Sequence, residues 1–309
     1  MKTFESLNNF SYFPSPVLTI GNYDGIHIGH KQIIERVRTR AAEISGTSML
    51  MTFNPHPLSI LKPDNHLGLI TPVDIRKRLI EENGIDVLLL LPFTDEFRLT
   101  DPDAFVKDIL IKKLGIKGLV VGYDFKFGKG GKGDTHILKN LSLQYGFLFE
   151  AVDAITLNNE KIGSNRIRKL IMTGDVKKAE LFLGRPYIIE GRVLKGYGRG
   201  GDMGFPTINI QTEFEIIPEN GVYISEVEVG DKKYRSVTNI GYNPTFNNQE
   251  RSIETFILDF SDNLYGKKVS LYFHERIRGE IRFGNVDELK RRISMDVQAA
   301  ELYFERAAQ

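Results

Sequence analysis

Residues 17–34 read VLTIGNYDGIHIGHKQII, and this stretch decides the fold of the first half of the chain. The apolar residues 17–20 predict a buried strand, and a helix is expected to begin near Gly29. Gly21, Gly25 and Gly29 permit a tight strand-to-helix turn whose backbone can approach a ligand. Because a helix N-terminus offers unpaired N–H groups and the positive end of the helix dipole, the stretch predicts an anion site.

Two histidines occupy the predicted start of this helix. His27 and His30 are three residues apart, so both rings can face one bound group and donate hydrogen bonds to the charge that develops on a leaving pyrophosphate. A His-x-x-His pair by itself is more often a packing or surface feature, and zinc binding is the other functional interpretation. No third ligand lies nearby in the sequence and the chain has no Cys. The glycines and the position after a strand therefore favour phosphate chemistry.

The following pattern extends this stretch into a parallel sheet. Compact apolar runs predict strands at residues 17–20, 49–53, 87–91, 119–121 and 147–152. Helical spacing separates them, with one apolar face formed by Ile33, Ile34, Val37, Ala41 and Ile44 and with N-cap–proline pairs at Thr71-Pro72 and Asp101-Pro102. This alternation predicts a doubly wound, Rossmann-like α/β domain whose ligands bind at the carboxyl ends of the strands. Asp124 directly follows such a strand, which favours a ligand contact over a solvated loop position.

The second half of the chain has a different pattern. Beyond Gly184, β-rich segments at residues 188–194, 222–229, 234–238, 253–260 and 269–273 are separated by Gly, Asn and Asp turn signals. They predict a small antiparallel barrel or sandwich, followed by a terminal helix over residues 286–308. Since 309 residues are enough for two domains, we expect them at residues 1–183 and 184–309.

Composition excludes several classes of protein. The formal net charge is +1, with 24 basic and 21 acidic residues up to residue 184 and 17 and 19 after it. This balance argues against dependence on bulk attraction to nucleic acid. The absence of Cys excludes disulfides, iron–sulfur clusters and thiol catalysis. The sequence shows neither a signal-peptide core nor the roughly 18 apolar residues of a membrane span, so we expect a cytoplasmic protein without membrane or nucleic-acid partners.

A second group of candidate phosphate ligands opens another predicted helix. Residues 163–168 read GSNRIR. A residue such as Ser164 at a helix start is usually only a cap. Arg166 and Arg168 beside it favour phosphate binding.

The second half contains candidate magnesium ligands and one glutamate within an apolar segment. Thr207 and Asn209 are i and i+2 in an extended segment, so their side-chain oxygens share one side and suit magnesium, unless the segment is only a turn into an ordinary strand. Glu254 lies in RSIETFILDF, where both faces look apolar. It is therefore either a strand-end acid that meets water or a group with a specific partner.

These motifs together resemble one family. GNYDGIHIGH resembles the Gly-x-Phe-Asp-Gly-x-His-x-Gly-His signature of the nucleotidyltransferase superfamily. The elements FNPHP (53–57), VVGYDFKFGKGGKGD (120–134) and GSNRIR, with GRVLKGYGRGGDMGFPTINI (191–210), are similar to those of the bacterial bifunctional riboflavin kinase/FMN adenylyltransferases, or FAD synthetases. The resemblance covers nearly the whole chain. It implies that the first domain adenylylates FMN to FAD and that the second phosphorylates riboflavin to FMN, with ATP as co-substrate and Mg²⁺ as cofactor.

The resemblance also implies roles for individual residues. His27 and His30 would stabilise adenylyl transfer, and Glu254 would act as the base toward riboflavin. The expected ATP and phosphate contacts are Gly21, Asn22, Asp24, Gly25, Gly29, Ser164, Arg168, Gly198 and Arg199. The expected flavin contacts are Asn54, Asp124 and Phe127, and the expected magnesium ligands are Thr207 and Asn209. The chain departs from the family pattern at Gly163, Asn165, Gly201 and Asn243.

Two other functions fit parts of the pattern. The first domain could serve another adenylyl transfer, such as that of a pantetheine-phosphate or nicotinamide-nucleotide adenylyltransferase. The chain could also be a degenerate paralogue that senses flavin or binds RNA. Retention of both histidines together with Thr207, Asn209 and Glu254 argues against a degenerate site. The sequence does not predict an oligomeric state.

Overall fold

The computed structural model describes residues 1–61, 64, 68–195, 204–242 and 251–307 of the chain. Contacts divide the chain into unit 1, Met1–Ser164, and unit 2, Asn165–Gln309. This division lies before the predicted domain boundary at residue 184, because the segment ahead of that boundary packs with unit 2. Lys177 Nζ, for example, lies 2.8 Å from Glu275 Oε2. A functional boundary near residue 184 stays a prediction.

Unit 1 is built on six strands in its described part: β1 (Lys2–Phe4), β2 (Val17–Ile20), β3 (Ser48–Phe53), β4 (Val87–Leu91), β5 (Gly118–Gly122) and β6 (Leu148–Val152). They pair in parallel in the order β1-β4-β3-β2-β5-β6. The chain passes from β2 to β3 on one side and later returns to β5 on the other. The crevice beyond β2 is therefore the switch point at which doubly wound sheets bind ligands. The predicted α/β architecture is confirmed, and the short edge strand β1 was not predicted.

Helices and a small hairpin complete unit 1. The helices are α1 (Ile28–Glu43), α2 (Pro57–Leu61), α3 (Val73–Glu82), α4 (Asp95–Arg98), α5 (Pro102–Ala104) and α6 (Thr135–Tyr145), with a π-helix at Phe105–Lys113. The hairpin pairs β7 (Thr156–Leu157) with β8 (Glu160–Lys161).

Two local predictions for these helices differ in outcome. Asp101 caps α5 through its side chain, which accepts the N–H of Asp103, as predicted. The prediction for Thr71 is wrong, because its hydroxyl accepts the N–H of Gly25 instead, 3.0 Å away, and Pro72 is the capping residue. On the predicted apolar face of α1, Ile34, Val37 and Ala41 are buried and Ile33 is partly buried, whereas Ile44 follows the helix and is exposed.

Unit 2 is an antiparallel barrel with helices. Its elements are α7 (Ser164–Met172), α8 (Val176–Leu183), β9 (Tyr187–Leu194), β10 (Thr207–Gln211), β11 (Gly221–Val229), β12 (Lys232–Tyr242), β13 (Arg251–Ile257), β14 (Lys268–Arg278) and α9 (Val286–Ala307). The strands close in the order β10-β13-β12-β11-β14-β9. This confirms the barrel rather than the sandwich. Side chains of α9, among them Val297 and Ala300, pack on Val222, Ile224 and Val237 of the wall.

His274 on β14 joins three other elements of unit 2. Its Nε2 lies 2.9 Å from Glu226 Oε2 on β11, and its Nδ1 lies 3.9 Å from Glu180 Oε2 on α8. The rings of Tyr303 and Phe304 on α9 lie against it. Burial alone would lower the pKa of His274, but the two carboxylates outweigh burial and raise the pKa to about 9. His274 is therefore protonated at neutral pH.

We expect the stability of unit 2 to fall as the pH rises from 6.5 to about 9. Because the pKa of His274 is higher in the folded protein than in the unfolded chain, protonated His274 contributes fully to the free energy of unfolding below pH 6.5. This contribution is lost as the pH rises through the folded pKa of about 9. The contribution amounts to at most about 3 kcal/mol. Thermal unfolding of the wild type and of His274→Gln between pH 6 and 10 measures it. The variant should lack this decline, and a wild-type midpoint that changes no more than that of the variant would contradict the assignment.

Candidate functional site

The loop between β2 and α1 is held in an unusual backbone conformation. Tyr23, Gly25 and Ile26 have φ angles of 52°, 91° and 40°. Left-handed φ is costly for residues with a Cβ, yet the side chains of Tyr23 and Ile26 are buried. The Tyr23 hydroxyl lies 2.6 Å from that of Thr19. Burial of both side chains thus fixes the turn that the glycines permit.

The two predicted histidines stack at the start of α1. Their ring centroids are 3.6 Å apart with planes 15° from parallel. His27 is 6% exposed and is the N-cap of α1, where its Nδ1 accepts the N–H of His30 at 3.2 Å. Because Nδ1 accepts this bond, the neutral ring carries its proton on Nε2. Gly29 lies under the ring, since a Cβ there would be 3.1 Å from His27 Cε1 and Nδ1.

A cavity of about 580 Å³ opens at the switch point of the unit 1 sheet. Its polar wall includes three of the predicted ATP and phosphate ligands, Gly21, Asn22 and Ser164, together with His30, which is predicted to be catalytic. Its aromatic wall consists of Phe53, Phe93, Phe97, Phe105, Phe125 and Phe127. Neighbouring rings are in contact, for instance Phe53 with Phe97 at 5.2 Å and Phe125 with Phe127 at 5.8 Å between centroids. The volume and the mixed wall suit a ligand with a planar apolar part and a charged part.

The predicted flavin contacts lie in different places relative to this cavity. Asp124 and Phe127 are part of its described wall, whereas Asn54 is not. The Asp124 side chain is 69% exposed and lies 3.9 Å from Lys161 Nζ. Phe127 is buried in the core of unit 1. Sequence reasoning did not assign the other phenylalanines of the wall to the site. Phe53 and Phe125 lie within quoted motifs, whereas no local motif marks Phe93, Phe97 and Phe105.

Asp24, in the loop between β2 and α1, is buried and hydrogen-bonded. It is 1% exposed, and its carboxylate accepts the backbone N–H groups of Ile70 and Thr71 at 3.2 and 3.1 Å. Its backbone carbonyl accepts the hydroxyl of Ser164 at 2.9 Å. The buried carboxylate therefore fixes the loop, and a contact between Asp24 and phosphate stays a prediction.

The residues after Ser164 belong to unit 2. There the Asn165 side-chain oxygen accepts a hydrogen bond from Arg168 Nη1 at 2.7 Å. Asn165, one of the departures from the family pattern, thus orients the guanidinium of Arg168. The phosphate role of Arg168 stays a prediction. Gly198 and Arg199, like the departures Gly201 and Asn243, lie outside the residues that the structure describes.

In unit 2, the barrel register brings the predicted metal ligands and base together. Asn209 on β10 lies directly opposite Glu254 on β13, which in turn lies opposite Asn239 on β12. Directly opposed residues share one face of a sheet, and Thr207 shares it as well. Asn239 is exposed, and it extends the predicted set.

The expectation that Glu254 sits between two buried faces is wrong. Ile253, Thr255 and Ile257 are buried on one face, whereas Glu254 and Phe256 are partly exposed on the other. Glu254 is therefore partly accessible to solvent, and its role as a base stays a prediction. Among the described residues there is no group of three or more His, Asp or Glu placed to hold a metal ion.

No described helix is both long and apolar enough to cross a membrane.

Two family models match the two halves of the chain, and individual proteins match nearly all of it. The family model for FAD synthetase matches residues 11–166, and that for riboflavin kinase matches residues 183–304. The bifunctional riboflavin kinase/FMN adenylyltransferase of Escherichia coli strain K12 is 34% identical over 98% of each chain. The Bacillus subtilis strain 168 protein of the same name is 36% identical over 93% of this chain and 92% of its own. A crystal structure described as a macrolide-efflux protein from Streptococcus pneumoniae is 31% identical, has a TM-score of 0.89 and covers 97% of this chain and 98% of its own.

Proposed function

The chain belongs to the family of bifunctional riboflavin kinase/FMN adenylyltransferases, and from that premise we propose how its residues divide the two reactions. It phosphorylates riboflavin to FMN and adenylylates FMN to FAD. Unit 1 carries the adenylyl transfer and the barrel of unit 2 carries the phosphorylation, with the kinase beginning near residue 184. The name of the Streptococcus pneumoniae protein is not extended to this chain, since both family models name flavin enzymes. A cytoplasmic location without membrane or nucleic-acid partners stays a prediction.

The stacked histidines at the switch point carry the assignment of unit 1. A phosphate oxygen of FMN attacks the α-phosphorus of ATP, the bond from that phosphorus to the bridging oxygen breaks, and pyrophosphate leaves with the electron pair. Negative charge grows on the leaving group, where the N–H groups of α1 and the ring donors of His27 and His30 are placed to meet it. No covalent intermediate is needed, so the chain contributes position and charge stabilisation.

The aromatic wall of the cavity suits the isoalloxazine ring of FMN. Rings such as Phe93, Phe97 and Phe125 offer apolar surface on one side of the cavity, and Gly21 and Asn22, the proposed phosphate contacts, belong to its polar wall. A tricyclic flavin buries its apolar surface against such side chains. We therefore expect the FMN phosphate and the ATP α-phosphorus at the junction of the two walls.

In unit 2, Glu254 is proposed to take the proton from the riboflavin 5′-hydroxyl as the hydroxyl oxygen attacks the γ-phosphorus of ATP. The bond from that phosphorus to the β,γ-bridging oxygen breaks, and ADP leaves with the electron pair. Thr207 and Asn209 are hard oxygen donors on one face, and Asn209 lies opposite Glu254. This donor set fits Mg²⁺, which prefers oxygen ligands and completes its shell with phosphates and water. When bound, Mg²⁺ neutralises charge on the transferring phosphate. The chain's own contribution is to hold the base beside these two ligands.

Changing Thr207 should alter the magnesium requirement of one reaction only. Thr207→Val removes a ligand oxygen at nearly constant volume, so the Mg²⁺ concentration for half-maximal FMN formation should rise at least roughly tenfold. Conversion of added FMN to FAD should keep its magnesium dependence. Chromatographic separation of flavins after incubation with ATP and graded Mg²⁺ measures both. Exposed Thr156 offers a matched Thr→Val control in unit 1, and an unchanged requirement in Thr207→Val would remove this residue from the site.

The same assay tests the proposed function as a whole. The wild type incubated with riboflavin, ATP and Mg²⁺ should form FMN and then FAD. Failure to convert either flavin would overturn the proposal.

A further inference from the structure

We propose that Arg76 is a positioning residue for adenylyl transfer, because it connects the ends of β2 and β3 beneath the loop between β2 and α1. This loop, residues 21–27, is called the phosphate-binding loop below. The inference deepens the role proposed for unit 1 and depends on it. Arg76 lies on α3 and is 2% exposed, which makes it one of the largest fully buried side chains of the described chain. Its Nη1 donates to the carbonyl of Asn22 at 2.9 Å, and its Nη2 donates to the carbonyl of Phe53 at 3.0 Å.

These two carbonyls lie where the pairing of β2 with β3 ends. The ladder registers Ile20 with Met51, and Gly21 N–H donates to the carbonyl of Met51 at 3.1 Å. Continued by two residues, the same register would place Asn22 opposite Phe53. At that point the guanidinium binds both carbonyls in place of a ladder hydrogen bond. Its planar fork suits two acceptors at once, whereas a lysine ammonium is a point charge on a flexible stem.

Neighbouring buried groups complete this arrangement around the loop. The charge of Asp24 opposes the tendency of burial to lower the pKa of Arg76. The Asp24 carboxylate also accepts the Thr71 N–H. Thr52, fully buried on β3, gives the Asn22 carbonyl a second donor through its hydroxyl at 2.9 Å. The position of Asn22 is thus set from beneath by buried donors.

This position matters for the reaction because Asn22 and Phe53 both line the cavity. Asn22 belongs to the phosphate-binding loop, and Phe53 belongs to the aromatic wall. Arg76 therefore fixes the distance between the part of the wall that meets phosphate and the part that meets the flavin ring. Small misplacements of reacting groups slow an in-line transfer more than they weaken binding.

The test separates the geometry of the guanidinium from its charge. Arg76→Lys keeps the charge but cannot bridge both carbonyls, so kcat for FMN adenylylation should fall roughly 10- to 100-fold. The KM for ATP should change much less. Riboflavin phosphorylation by the same preparation should be unchanged, which provides an internal standard for enzyme concentration, and thermal unfolding checks the folding of unit 1. Arg78→Lys, a partly exposed site on the same helix, is the matched control and should retain wild-type kcat.

Each outcome decides the proposal. A kcat in Arg76→Lys close to the wild-type value, or a rise in KM for ATP at constant kcat, would overturn it. If Arg76→Lys unfolds unit 1, Thr52→Val tests the same carbonyl and should lower kcat about fivefold, as expected for one lost hydrogen bond. An unchanged kcat in that variant would also overturn the proposal. Absence of FAD formation by the wild type would instead refute the proposed function itself.

Discussion

Replacing His27 with alanine should slow FMN adenylylation about 100- to 1000-fold while riboflavin phosphorylation continues. The loss corresponds to about 2.7–4 kcal/mol of transition-state stabilisation, the usual effect of removing one donor to developing charge. The ring stacks on His30 and has Nε2 as its donor, since Nδ1 caps α1. FMN should therefore accumulate from riboflavin and ATP, and its separation from FAD by chromatography measures the effect.

A matched variant separates catalysis from helix capping. His27→Ala also removes the N-cap, which costs about 1 kcal/mol of stability. His27→Asn restores a capping oxygen but not the ring donor, because Asn is among the best N-cap residues. Both variants should lose FAD formation to a similar extent, while only alanine should lower the midpoint of thermal unfolding. Recovery of FAD formation in His27→Asn would show that capping, and not the imidazole, matters.

Replacing Glu254 with glutamine should stop the other reaction. Removal of a general base typically costs about 100- to 10,000-fold, so FMN formation should nearly cease, whereas added FMN should still be converted to FAD. The change keeps shape and removes only the charge beside Asn209. Glu213→Gln removes a carboxylate from an exposed position in the same unit and should leave both rates unchanged. Substantial FMN formation by Glu254→Gln would exclude this residue as the base.

The sequence predicted the parts of the fold that depend on local apolar patterns. The strands β2 and β4 have the predicted bounds because both of their faces are buried, which produces uninterrupted apolar runs. The edge strand Lys2–Phe4 is short and partly exposed, so it has no such signal. The strand Thr207–Gln211 was recognised only as an extended segment, since TINIQ alternates weakly and follows a run of glycines.

The site was predictable only where it forms a local motif. His27 and His30 lie within one helical turn, so their spacing in the sequence was enough to predict that the two rings are neighbours. The aromatic wall draws on residues from Phe53 to Phe127, which only the parallel sheet brings to one cavity. Arg76 was missed because an arginine on an amphipathic helix usually faces water, and only the tertiary structure shows its burial. The pairing of Asn209 with Glu254 likewise depends on strand register, which no local pattern specifies.

The central claim is that two separate residue sets perform two reactions in series. Mixing two variants, each inactive in a different one of the two reactions, tests it most directly. His27→Asn should form FMN but not FAD, and Glu254→Gln should form neither flavin from riboflavin. The two proteins together with riboflavin, ATP and Mg²⁺ should form FAD, because FMN released by the first is a substrate for the second. A mixture that accumulates FMN without FAD, or that forms no FMN, would contradict the assignment of the two reactions to two separate residue sets.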